Sequence, residues 1–209
     1  LAAVMKMEDY YKILLDQKCT TAPDTEMSRE NPEDIKSTCS DGLKFENVDF
    51  VYPGTTRQAL KSASFEARRG EMVRISGHIG SGKSTIALLA LGLYPYEGRV
   101  LVCGKDVRQL PRSTISRLVS FIPQGPTLLD RSVYENIAFG TDFTKEEVQR
   151  AMDDLEVDFA DLDSRVGKGG KNLSTGQRAT VYLLRAAMRN SPIIICDEVT
   201  ANMDAKSEK

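Results

Sequence analysis

The run Gly77-His78-Ile79-Gly80-Ser81-Gly82-Lys83-Ser84-Thr85 satisfies the spacing G-x-x-x-x-G-K-[ST]. Gly77, Gly80 and Gly82 let backbone N–H groups curl around an anion with no Cβ in the way. Lys83 supplies a charge that reaches the outer phosphates of a nucleotide, Ser84 a hydroxyl suited to Mg²⁺, and Ser81 and Thr85 further polar groups. The run follows a predicted strand, EMVRISG (71–77), and opens a predicted helix (83–93), whose N-terminus adds its partial positive charge. His78 occupies a free position of the motif and reads as a loop residue. A chance glycine-rich turn is the plain alternative, and the strand-then-helix order counts against it.

Further on, PIIICDE (192–198) is a solid apolar run ending in Asp197 and Glu198. Open α/β sheets bind ligands at the carboxyl ends of their strands, so Asp197 is placed to hold a Mg²⁺ shell and Glu198 to polarise an attacking water. Taken alone, two carboxylates at a strand end are most simply solvated; a phosphate loop in the same chain reverses that weighting. Between the two motifs lies NLSTGQR (172–178), in which Ser174 and Gly176 would start a helix with exposed N–H groups, forming a second anion site.

Phosphate loop, L-S-x-G-Q and Asp197-Glu198, in this order, resemble the nucleotide-binding domain of the ATP-binding cassette (ABC) family. The resemblance implies an α/β fold: a P-loop NTPase cassette with a mostly parallel central sheet, a small antiparallel β subdomain and a helical signature subdomain. It implies ATP and Mg²⁺ as cofactors, and a second nucleotide-binding domain as partner in a head-to-tail dimer. Each ATP would then lie between Gly77–Thr85 of one chain and Leu173, Ser174, Thr175, Gly176 and Gln177 of the other. By the same resemblance Tyr52 stacks on adenine, Gln124 joins the Mg²⁺ and water network beside Ser84 and Asp197, Glu198 is the catalytic carboxylate, and Asp204 crosses the dimer. SVYENIAFG (132–140) and VGKGGKNLSTGQR (166–178) look like the exporter branch, whose cassettes follow a transmembrane bundle on the cytoplasmic face of a membrane. Three departures stand out. Thr175 occupies a position where glycine is most common, Gly125 follows Gln124 where an acidic residue is frequent, and the family's switch histidine is expected beyond Lys209. Two other readings carry the same motifs: a regulatory ATP-binding module that closes on nucleotide without turnover, and a soluble ABC-type ATPase of DNA repair or translation.

These residues need elements to hold them. LKFENVDFVY (43–52) alternates, with Leu43, Phe45, Asn47, Asp49 and Val51 against Lys44, Glu46, Val48, Phe50 and Tyr52, as a strand with both faces partly covered does. Pro53-Gly54 and Arg69-Gly70 read as turns on either side of a strand at SASFEA (62–67). Further strands fit RVLVCG (99–104), LVSFIPQ (118–124) and PIIICDE, and helices fit TKEEVQRAMDDL (144–155) and TGQRATVYLLRAAMRN (175–190). Strand and helix patterns alternate, which is the α/β signature. The cassette is expected over 43–209, a flexible polar linker over 16–42, and a helix over 1–15 that resembles the connection from a transmembrane bundle. Leu1 and Lys209 are expected to be internal points of a longer polypeptide.

Composition limits the remaining classes. In 209 residues, 28 Lys+Arg against 30 Asp+Glu leave a net charge of −2, without the basic excess of a bulk nucleic-acid binder. Pure apolar runs such as Ile193–Cys196 are far short of the roughly 18 residues that cross a bilayer. Cys19, Cys39, Cys103 and Cys196 are scattered, with no C-x-x-C pair, and are expected as reduced thiols in a cytosolic setting.

Overall fold

Alternating side chains across 43–52 produce β1 (Leu43–Val51), with one change of phase. Leu43 and Phe45 are buried, and so are Val48 and Phe50, because a bulge at Asn47 shifts the register. The strict alternation of the sequence is thereby broken, while Lys44, Glu46 and Asp49 on the other face are partly covered. Asn47 has φ +48, a left-handed conformation that asparagine tolerates, and its N–H donates to Ser64 Oγ at 2.9 Å. Opposite it, Gly98 has φ +85, and a Cβ there would lie 2.3 Å from the Asn47 carbonyl oxygen. Only glycine fits against the bulge.

The computed structural model describes residues 31–37, 39, 41–158 and 161–197. The expected helix over 1–15 lies outside them. Two compact units emerge, one running to Ser120 and taking in Ser191–Ile195, the other made of Phe121–Asn190 and the chain from Cys196 onward. In the first, β1 pairs antiparallel with β2 (Gln58–Ala67) on one side and with β3 (Glu97–Val102) on the other, and β4 (Lys105–Asp106) closes a hairpin on β3. The sheet order is β2-β1-β3-β4, with Phe45 stacked on Phe65 at 4.7 Å. α2 (Lys83–Ala90) buries Thr85, Ile86, Ala87, Leu89 and Ala90, and α3 (Arg112–Leu118) buries Thr114, Ile115 and Leu118.

Three expectations change in this unit. The polar stretch 16–42 ends in a helix, α1 (Pro32–Ser37), with Ile35 and Cys39 buried, so its last part is not free linker. Cys39 and Cys103, expected as separate thiols, form a disulfide. Pairing requires only that the folded chain bring two sulfurs together, and a sequence separation of 64 residues hides it. The run EMVRISG is not a strand: among the described residues no strand pairs with it, and Met72, Val73 and Ile75 are exposed. An apolar run becomes a strand only where neighbours take its backbone hydrogen bonds.

In the second unit each α-helix among the described residues begins with a Ser or Thr followed three residues later by Glu or Gln. α4 (Val133–Ile137) is capped by Ser132 and Glu135, α5 (Lys145–Asp154) by Thr144 and Glu147, and α6 (Thr175–Met188) by Ser174 and Gln177. In every case the cap side chain accepts from the backbone N–H three residues on, while the Glu or Gln accepts from the cap N–H. α5 turns Val148 and Met152 inward, one helical turn apart. Asn136 is fully buried: its amide nitrogen donates to the Leu129 and Ser132 carbonyls and its amide oxygen accepts from the Leu129 N–H. β5 (Val119–Ile122) and β6 (Ile193–Cys196) form a parallel pair. No helix among the described residues is long and apolar enough to cross a membrane.

Candidate functional site

The phosphate loop is built by backbone geometry. Gly80 and Gly82 have φ +81 and +90. A Cβ on Gly82 would lie 2.4 Å from the Ala59 carbonyl oxygen and 2.8 Å from Leu60 Cδ2; one on Gly77 would lie 2.6 Å from Ser81 Oγ. Gly82 is the N-cap of α2, so Lys83, Ser84 and Thr85 form its first turn, where backbone N–H groups lack intrahelical partners. Lys83 Nζ donates to the carbonyls of Gly77 at 2.9 Å and His78 at 3.0 Å, folding the loop around its own cation. Arg57 reaches the loop as well, donating to the Gly80 carbonyl at 3.4 Å. Ser84 is exposed and Thr85 is buried.

Tyr52 joins this group. Its hydroxyl lies 2.9 Å from Thr85 Oγ1, and its ring packs edge-on against Phe50 and Tyr94 at centroid distances of 4.7 and 5.5 Å. The expected adenine platform and the phosphate loop are therefore joined by a direct hydrogen bond. Neither Tyr94 nor Arg57 was foreseen. The only sequence signal for Arg57 is its place in the short, polar 53–58 connection.

In the second unit Ser174 and Gln177 cap the signature helix reciprocally, with Ser174 Oγ accepting from the Gln177 N–H at 3.1 Å and Gln177 Oε1 from the Ser174 N–H at 2.8 Å. Arg178, one residue past the motif, donates to the carbonyls of Gly170 at 3.3 Å and Leu173 at 3.0 Å and to Thr175 Oγ1 at 3.0 Å. The threonine hydroxyl is thus directed to Arg178. Gly176 keeps open space at its Cβ position, the nearest atom being Ser174 Oγ at 3.9 Å. Gln124 is exposed in the loop after β5, and the Asp197 N–H donates to the Ile122 carbonyl at 2.9 Å at the end of β6. Glu198 and Asp204 lie outside the described residues. The donors fit the implied groups: glycine cradles that a Cβ would fill suit phosphate oxygens, and the hard oxygens of Ser84, Gln124 and Asp197 suit Mg²⁺.

Comparison with known proteins agrees with these elements. The ABC transporter family profile matches residues 60–201, and the chain belongs to that family. It is a nucleotide-binding, ATPase-type domain of ABC exporters. Over 183 residues, 83% of this chain and 30% of the relative, it is 36% identical to an ATP-dependent lipid A-core flippase of Pseudomonas fluorescens (strain Pf0-1). It is 36% identical to the probable multidrug resistance ABC transporter ATP-binding/permease protein YheI of Bacillus subtilis (strain 168), across 86% of this chain and 32% of that one. The solved structure of a bacterial Atm1-family ABC exporter with ATP bound superposes with a TM-score of 0.77 at 29% identity, covering 96% of this chain and 35% of that one. The chain spans about a third of the length of these relatives.

Proposed function

We propose that the chain is the cassette of a larger exporter in which MgATP closes two such domains head to tail and hydrolysis releases them, driving a transmembrane bundle from the cytoplasmic face. The observation that carries this reading is the phosphate loop: Lys83 folded onto the Gly77 and His78 carbonyls at the mouth of a glycine cradle, in a chain of the ABC family. On binding, Lys83 exchanges neutral carbonyl partners for phosphate oxygens, which are the stronger, charge-assisted acceptors. The N–H groups at the start of α2 take the remaining phosphate oxygens, and Tyr52 offers its ring to the adenine. Bound Mg²⁺, held through Ser84, Gln124 and Asp197, would neutralise charge on the phosphates. Glu198 orients or deprotonates the attacking water. Leu173, Ser174, Thr175, Gly176 and Gln177 meet the partner's nucleotide, and Asp204 lies at the dimer seam. The mostly parallel central sheet of the cassette would draw on β5, β6 and the 71–77 run.

The regulatory-module alternative loses ground because Thr175, the departure that favoured it, spends its hydroxyl on Arg178 and leaves Gly176 unobstructed. Calorimetric titration with ATP and ADP tests the binding half. Lys83→Ala is expected to weaken both about tenfold to a hundredfold, from roughly 1.5–3 kcal/mol of charge-assisted bonding; unchanged affinity would remove the phosphate-loop assignment. Light scattering with MgATP tests the closing half. Glu198→Gln is expected to accumulate a dimer that the parent does not, and hydrolysis by that variant at the parent rate would eliminate Glu198 as the catalytic carboxylate.

A further inference from the structure

α1 has six residues, well below the ~12–15 at which an isolated helix holds in water. Its docking must come from contacts outside itself. α1 lies against α3 with Ile35 buried, and two residues past its end Cys39, also buried, is bonded to Cys103. The two ends of that link differ in support. Cys103 stands in the turn between β3 and β4, where Leu101 and Val102 pair with Asp106 and Lys105. Arg108 fastens this hairpin by bonding the Asp106 carboxylate at 2.7 Å and the Gly98 carbonyl at 3.1 Å, while lying over the Tyr96 ring. The hairpin is the fixed anchor, and the 31–42 segment is the element that the link holds down.

We propose that Cys39 and Cys103 are a reversible modification site, a thiol pair that a small disulfide such as oxidised glutathione closes and reduced glutathione opens, docking or releasing residues 31–42. Cys103 is only half-buried and so meets the small disulfide first. Its thiolate attacks one sulfur of that molecule, forming a mixed disulfide and expelling one small thiolate. The Cys39 thiolate then attacks the Cys103 sulfur, forming the protein disulfide and expelling the second. Two electrons pass from the two cysteines to the small disulfide, and the two protons lost by the cysteines end on the released thiols. In a reducing compartment such pairs are transient rather than permanent. That setting rests on the cytoplasmic face proposed above, whereas the exchange chemistry does not.

The test equilibrates the unmodified chain across ratios of reduced to oxidised glutathione, traps free thiols with a maleimide, and maps the peptides. Backbone hydrogen exchange over 31–42 is read in the same samples. The expected result is a Cys39–Cys103-linked peptide that disappears as reduced glutathione rises, without denaturant, and returns on reoxidation. Exchange in 31–42 should become about tenfold faster on reduction, and Cys39→Ser and Cys103→Ser should each show the fast rate in every buffer. Three results overturn the proposal: a linked peptide that never forms, a link that survives excess reduced glutathione until the protein unfolds, or exchange that ignores the redox state. Nucleotide affinity is not read here, so the cassette assignment stands or falls separately.

Discussion

At the start of α2 the chain is held by glycine dihedrals and by Lys83, whose ammonium rests on the Gly77 and His78 carbonyls. At the start of α6 it is held by side chains: Ser174 and Gln177 cap each other, and Arg178 reaches three acceptors between Gly170 and Thr175. Both are helix N-termini suited to phosphate, yet only the first must break internal hydrogen bonds to receive it. The second is pinned by its own side chains and needs no such exchange, so ordering costs it little when a ligand arrives. One loop is made to respond and the other to be met.

That contrast can be broken most forcefully at Gly82. Gly82→Ala combines a left-handed φ with overlap against backbone at Ala59, and is expected to cost about 2–4 kcal/mol of stability. Gly54→Ala is the control, since φ +76 there faces open space and only the backbone term of about 1–2 kcal/mol applies. Equal denaturant midpoints for the two would show that the phosphate loop is not limited by its close approach. Next in size, Arg178→Ala should cost about 1–3 kcal/mol and speed amide exchange over 170–177. Lys83→Ala should leave that exchange untouched; if it does not, the two loops are not independently built.

A smaller effect is expected at the joint between ring and loop. Tyr52→Phe deprives the Thr85 hydroxyl, 3% exposed, of its hydrogen bond and should lower thermal stability by about 1 kcal/mol while adenosine binding is retained. A fall in adenosine affinity as large as that of Tyr52→Ala would show that the hydroxyl, not the ring face, meets the base. The smallest effect lies at the β3–β4 hairpin, outside both loops. Burial pushes the Asp106 carboxyl up, but hydrogen bonds and charge from Arg108 outweigh it and hold the group below the ordinary carboxylate range. The folded state therefore takes up this proton later than the unfolded chain as pH falls. Its contribution is complete above the unfolded value of about 3.9 and is lost below it. As pH is taken from neutral to well below that unfolded value, denaturant midpoints should decline further for the parent than for Asp106→Asn.

Motifs that combine glycine, cation and hydroxyl at fixed spacing were legible, because the chemistry of Gly77–Thr85 and Leu173–Gln177 is local. So were β1, β3, α5 and α6, whose periodicity and caps lie within each segment. Features set by distant partners were not. Asn47 turned β1 out of phase through a bulge that only Gly98, on another strand, can accommodate. The Cys39–Cys103 pair joins positions that no spacing rule connects, and Arg178 looked like an ordinary helix residue until its three acceptors came together. α4 carried a readable capping box at Ser132 and Glu135, but in five residues it offers too little periodicity to be seen.

The exposed run at 71–77 also has a history in time. During synthesis the antiparallel neighbours β1 and β2 are both complete before Met72 emerges, and such a hairpin closes within microseconds. Met72, Val73 and Ile75 find no strand among the described residues to bury them, and more than half of the chain is made after them. At roughly 5–20 residues per second, the nascent chain carries these side chains in water for seconds. The run that introduces the nucleotide loop is thus a stretch of the growing polypeptide that a holding chaperone would shield.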